Sequence, residues 1–221
     1  MNHKRKTLTV IVGPSGSGKT TLANLMVEKH GYGKVISCTT RSPRPGEVDG
    51  VDYYFLSREI FYKMIEDGDF VEHAAFGGAW YGISRAGIEA ALTAGNGKAV
   101  SVNELVGYKN LEWCYNENPS DVSVTGIFLD APTKVLAERL QKRDIPIRDL
   151  HTRLDLLQQE KENNTKYAMS ASPNRRFLYN PTMKQLHAFL ESYRPHRDVI
   201  FNPRDPFKIF NQSAIGTMEK K

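Results

Sequence analysis

Thiols are scarce in this sequence: 221 residues carry two cysteines, Cys38 and Cys114, together with two tryptophans. So few thiols exclude a disulfide-stapled scaffold, and with six scattered histidines they show no zinc-ligand spacing. No structural metal is expected. No apolar run approaches a membrane span. The opening stretch MNHKRKTLTVIVG imitates a charged region followed by an apolar one, but the apolar part is short and gives way to a glycine-rich loop. These absences predict a cytoplasmic, reducing location. Strong charge of one sign is lacking too: 30 lysines and arginines face 25 aspartates and glutamates, a net +5 that suits a nucleic acid, a membrane surface or a small polyanion alike. There is no internal repeat. What remains is an ordinary globular composition, long enough for one domain with an inserted lobe.

Strand and helix patterns alternate along the chain. TLTVIVG reads as a buried strand, PSGSGKT as a loop, and TLANLMVEK as a helix with Leu22, Leu25 and Met26 on one face. GKVISC reads as a second strand and VDYYFL as an edge strand. Ser57 is the expected N-cap of a helix with Ile60, Phe61, Met64 and Ile65 on one face, ended by Gly68. DFVEHAAFGGAWYG predicts strand and glycine turn, SRAGIEAALTAG a helix, KAVSVN and VSVTGIFLD buried strands, and ELVGYKNLEWCYN a helix between them. Pro132 to Lys166 is helical with a break around Pro146, followed by a strand at RFLYN and a last helix within Pro181 to Tyr193. Such alternation favours an α/β fold, a parallel sheet covered on both faces. Trp80 and Trp113 read as packing residues.

Two stretches carry the chemistry. GPSGSGKT, Gly13 to Thr20, fits the G-x-x-x-x-G-K-[ST] phosphate loop and stands between a strand and a helix, where that loop must be. Gly13, Ser15, Gly16, Ser17, Gly18, Lys19, Thr20 and Thr21 are therefore the candidates for cradling the phosphates of ATP, with Lys19 at the β/γ-phosphates and Thr20 on Mg²⁺. The second stretch, SCTTRSPRPGEVDGVDYYF, presents Arg41 and Arg44 from a backbone restricted by Pro43 and Pro45. Arginine offers a planar fork that suits a phosphate or carboxylate, although the stretch alone could equally be a basic surface loop.

In order and spacing, GPSGSGKTTL, SCTTRSPRPGEVDGVDYYF, FVEHAAFGGAWYG and RLQKRDIPIRDLHTRL resemble the motifs of guanylate kinases, over roughly Leu8 to Tyr193. The resemblance implies a P-loop nucleotide kinase: a helix-flanked core from 7–36 and 86–193, a small β-rich acceptor-binding lobe over about 37–85, a helical lid over about 139–160, and a tail at 194–221 outside the family domain. It implies that Ser37, Arg41, Arg44 and Tyr53 hold the acceptor's phosphate, joined by Tyr81 from the other side. Glu72 would accept hydrogen bonds from the guanine edge. Arg139, Arg143 and Arg153 would be lid arginines over the donor phosphates, and Asn180 would lie near the adenine. Lys19, Arg41, Arg44, Arg139 and Arg153 would be the catalytic cations. By spacing alone, the last two read as a solvated helix face.

The sequence departs from the family at the base. After the YG turn the family carries a hydroxyl, where Ile83 stands here; Ser84, one residue later, could restore it. The family's D-x-D strand end reads Ser101 and Asn103, or Glu104 if the alignment slips by one. The lid differs as well, with RDIPIRD bringing Pro146 and Arg148. These departures keep open another nucleotide, ribose 1,5-bisphosphate or a polymer-borne group as acceptor. A non-catalytic guanylate kinase-like binding module is opposed by the complete phosphate loop, and no nucleic-acid motif accompanies the basic surface. His73 beside Glu72 points to the opposite strand face, so it reads as structural rather than as an acid/base partner.

Overall fold

Strand β1, Lys6–Val12, is the β-branched run that precedes the phosphate loop, and every residue after Lys6 is buried. The computed structural model describes residues 6–116, 121–142, 147–170, 172, 174–193, 199–200 and 210–211. Helix α1 (Lys19–His30) follows, then β2 (Gly33–Lys34), β3 (Cys38–Thr39), β4 (Tyr54–Phe55), α2 (Arg58–Glu66), β5 (Phe70–Phe76) and β6 (Ala79–Ser84). The chain continues through α3 (Arg85–Ala94), β7 (Lys98–Asn103), α4 (Leu105–Asn116), β8 (Val122–Asp130), α5 (Thr133–Gln141), α6 (Ile147–Ala168), β9 (Arg175–Tyr179) and α7 (Met183–Ser192). Two short strands, β10 (Val199–Ile200) and β11 (Phe210–Asn211), pair antiparallel in the tail.

The main sheet has the order β2-β7-β1-β8-β9, and its β2–β7 and β8–β9 ladders are parallel. Strand β8 is buried along its whole length, as a central strand with both faces covered must be. Hydroxyl caps set the helix starts: Ser57 accepts from Ile60 N, Ser84 from Gly87 N, and Thr182 forms a reciprocal capping box with Gln185. Gly68, at φ 72°, ends α2 as a left-handed residue after the Asp67 cap. By contact, the chain divides into two compact units: Met1–Val10 with Ala23–Val124, and Ile11–Leu22 with Thr125–Lys221.

The first unit also contains a four-stranded sheet, β4-β3-β6-β5. Its β5–β6 hairpin turns at Gly77 and Gly78, whose φ angles of 58° and 81° fit a two-residue turn that L side chains resist. Cys38, Phe61 and Phe70 form its core, with Leu56, Met64, Ile65 and Trp80 packed against them. Burial pushes the Cys38 thiol up to about 11, so it behaves as a small apolar side chain.

Three local expectations are corrected. The single strand expected over GKVISC is two: β2 joins the main sheet and β3 the smaller one. An apolar run cannot reveal that its halves enter different cores. Ile60 is 52% exposed and Trp113 65% exposed, although both were expected to pack. Phe61 alone carries the fully buried position of α2. His73 is exposed but lies 5.9 Å and 6.1 Å, centroid to centroid, from the rings of Trp80 and Phe70. No helix among the described residues is long and apolar enough to cross a membrane.

Candidate functional site

In the second unit, the phosphate loop leaves β1 and opens α1. Gly13 lies so close to the Leu129 carbonyl that a Cβ would collide with it and stand 2.7 Å from Ser17 Oγ. Gly16 and Gly18 take φ of 86° and 98°, left-handed conformations that glycine adopts without the cost of a Cβ. Ser17 N donates to Pro14 O at 3.1 Å, closing the turn. Lys19 Nζ folds back to donate to the carbonyls of Gly13 and Pro14. Ser17 Oγ is buried with no partner among the described residues. A phosphate oxygen in the cradle would supply one, so the loop fits the phosphates of ATP. Ser15 lines the loop, and Thr20 and Thr21 are exposed on the first helical turn.

Arg139 of α5 belongs to this loop's surroundings. Its Nη1 donates to Gly16 O at 3.2 Å and its Nη2 to Asn180 Oδ1 at 3.3 Å. Asn180 holds a left-handed φ of 43°, and its N–H donates to Asp130 O at 2.6 Å. Sequence reading missed the group beneath them: buried Asp130 pairs with Lys161 Nζ of α6 at 2.8 Å, and the same ammonium also donates to Ala131 O. The aspartate ending an otherwise apolar strand was the available signal. Arg143 lies outside the described residues; Arg153 lies on α6, its side chain outside them.

In the first unit, Arg41 is gripped from several sides. Its Nη1 and Nη2 donate to the two carboxylate oxygens of Glu47 at 2.8 and 2.9 Å, a fork-to-fork pair. Glu47 also accepts from Arg44 N at 2.7 Å. The guanidinium lies 5.3 Å from the Tyr53 ring centroid and 5.7 Å from that of Phe55, and it hydrogen-bonds Tyr81. Burial opposes its charge, but the bonds to Glu47 and Tyr81 outweigh burial and hold Arg41 above the usual arginine range. The bond from Arg41 likewise holds the Glu47 carboxyl below its ordinary range. Tyr53 and Tyr81 meet edge to face at 6.1 Å, and burial followed by Tyr81 raises the Tyr53 phenol. Arg41 Nε is left buried without a partner among the described residues. Ser37 is half-buried between β2 and β3, its carbonyl accepting from Tyr54 N. Glu47 went unassigned from sequence, although its place three residues after Arg44 already suggested a partner.

At the base end, Glu72 of β5 and Ile83 of β6 are cross-strand partners and share one face of the hairpin with Tyr81. Ile83 is buried and apolar. Ser84, expected to restore the missing hydroxyl, instead uses Oγ to cap α3. Asn103 Nδ2 donates to Glu72 Oε1 at 2.8 Å, and Asn103 Oδ1 accepts from the Ser101 hydroxyl. Ser101 and Asn103 therefore take the strand-end places, while Glu104 is exposed at the start of α4. Burial pushes the Glu72 carboxyl up to about 7 even though the bond from Asn103 lowers it.

Among the described residues, no group of three His, Cys, Asp or Glu is arranged to hold a metal.

Comparison with known proteins gives one answer. The family model described as Guanylate kinase matches residues 4–193. The guanylate kinase of Sus scrofa is 41% identical over 138 residues, covering 61% of this chain and 66% of its own, just under two thirds. That of Chlamydia felis is 33% identical over 199 residues, covering 87% and 91%. Among solved structures, guanylate kinase from Anaplasma phagocytophilum shares the fold, with a TM-score of 0.61, 22% identity and coverage of 85% and 84%.

Proposed function

The chain is a member of the guanylate kinase family of nucleoside monophosphate kinases, and from that premise we propose that it transfers the γ-phosphate of Mg-ATP to GMP or dGMP. The observation that carries the acceptor half is the buried, unpartnered Nε of Arg41, set among Tyr53, Tyr81 and Glu47. Glu47 occupies the end of the guanidinium fork and leaves its side edge for a phosphate oxygen. In this reading 37–85 is the acceptor-binding lobe and 139–160 the lid.

The residues act as follows. Gly16 and Gly18 aim backbone N–H groups at the donor phosphates, and the start of α1 adds roughly half a positive charge. Lys19 would leave its resting carbonyls to meet the β/γ-oxygens, and Thr20 is the side chain that would help hold Mg²⁺. Bound Mg²⁺ neutralises charge on the phosphates. Arg139 and Arg153 stabilise charge on the transferred group, with Arg143 beside them and Asn180 at the adenine. Arg41, Arg44, Ser37, Tyr53 and Tyr81 orient the acceptor phosphate, whose oxygen is already anionic near neutral pH and needs no general base. Glu72 accepts from the base.

A different acceptor is a second reading, favoured by one observation: Ile83, the residue facing Glu72 across the hairpin, is apolar, and Ser84 alternates to the other strand face. Steady-state ADP formation with Mg-ATP against ribo- and deoxynucleoside monophosphates, with ribose 1,5-bisphosphate included, separates the two. GMP or dGMP preferred is the expected result. Turnover of ribose 1,5-bisphosphate or a pyrimidine nucleotide instead would establish the second, and silence with intact ATP binding would leave a binding module or a polymeric acceptor.

A further inference from the structure

Glu72 has two carboxylate oxygens, and the structure treats them differently. Oε1 receives Asn103 Nδ2 at 2.8 Å, and Asn103 is itself fixed because Ser101 donates to its Oδ1. The chain of donors runs one way, from Ser101 through Asn103 to Glu72. All three residues are buried, at 2%, 8% and 8% exposure, so water is a poor substitute for any of these partners. The backbone of α4 closes over the bond: a Cβ at Gly107 would stand 2.6 Å from Asn103 Nδ2 and 2.9 Å from Glu72 Oε1. Oε2 has no hydrogen-bond partner among the described residues.

Resting on the reading of Glu72 as the base acceptor, we propose that Asn103 is a positioning residue that commits Oε1 of Glu72 and leaves the base a single carboxylate oxygen. A guanine edge presents two adjacent N–H donors, N1–H and the 2-amino group, which need two acceptors side by side. Oε1 keeps a second lone pair, but Asn103 and the Gly107 backbone cover that oxygen, so Oε2 is the open acceptor and serves N1–H. The 2-amino group is not read, so the acceptor class is the 6-oxopurine nucleoside monophosphate with or without that group. The ionised form of Glu72 disfavours adenine, whose N1 turns a lone pair toward the carboxylate. An ionised aspartate at 103 cannot donate to Glu72, so at a pH where both carboxyls are ionised it releases Oε1 and adds a second acceptor.

The test compares kcat/KM for GMP and IMP on the same protein preparation, a ratio that partial unfolding cannot move. A hydrogen bond to a charged group is worth roughly ten- to a hundredfold. The wild-type GMP/IMP ratio is expected within about threefold of unity, and Asn103→Asp is expected to raise it about tenfold. Ser101→Ala, which loosens Asn103 without touching the carboxylate, is expected to raise it by about half an order of magnitude. A wild-type preference for GMP above about thirtyfold overturns the proposal, as does an unchanged ratio in both variants. Glu72→Ala separates this failure from failure of the underlying reading. If KM for both nucleotides rises, Glu72 is at the base whichever way the ratio falls; if neither moves, the assignment of Glu72 fails and the proposal with it.

Discussion

Under the proposed function, the two units would hold phosphates by opposite means. In the second unit the cradle is backbone: glycines at positive φ, a helix start, and a lysine resting on the carbonyls of its own loop. In the first it is side chain: Arg41 wedged among a carboxylate and aromatic rings. Each cradle keeps one buried polar atom unpartnered among the described residues, Ser17 Oγ in the phosphate loop and Arg41 Nε in the arginine clamp. A backbone cradle tolerates changes in the side chains around it but depends on a few glycines. A side-chain clamp depends on every partner that aims it, so Glu47, which touches no nucleotide in this reading, matters nearly as much as Arg41.

Substitutions can break that contrast. Lys19→Ala should have the largest effect, lowering kcat by about a thousandfold or more with every acceptor; near-normal ADP formation would remove the loop from catalysis. Arg41→Ala should lower kcat/KM for the acceptor about a hundredfold, while calorimetric ATP affinity stays nearly unchanged. An equal loss of ATP binding would place Arg41 on the donor side.

Glu72 sharpens the comparison through pH. Its carboxyl sits at about 7 in the fold against 4.5 as the ordinary value, so the folded state holds the proton more tightly. The associated stability is full below the ordinary value and is lost as pH rises through about 7. Glu72→Gln should therefore match wild type in acid and exceed it above pH 8 by up to about 3 kcal/mol in urea unfolding. The same variant should weaken acceptor binding, so that stability and function move in opposite directions. Gly107→Ala should have the smallest effect, costing about 1–2 kcal/mol of unfolding free energy as Asn103 is pushed aside.

How much of this was legible in the sequence follows from the same contrast. The phosphate loop could be read because its determinants are contiguous, and the helix cap at Ser57 because capping acts over three residues. The β5–β6 hairpin announced itself through Gly77 and Gly78. What could not be read depends on which residues meet across the chain. That Asn103 reaches Glu72, 31 positions away, or that Lys161 reaches Asp130 from α6, has no local signature. The split of GKVISC was hidden because burial looks alike in either sheet. That Ser84 Oγ also accepts from Gly87 N at the start of α3 was not read either.

The division of GKVISC between two sheets bears on how the chain assembles. The β5–β6 hairpin closes on a two-residue turn, and such hairpins form within about 1–10 μs. The β2–β7 ladder instead pairs Gly33 with Ala99, so its loop must close around the whole four-stranded sheet. Loop-closure entropy is lower when the intervening segment is already compact. A smaller sheet that condensed first would bring the ends of the main sheet's longest connection within reach of each other.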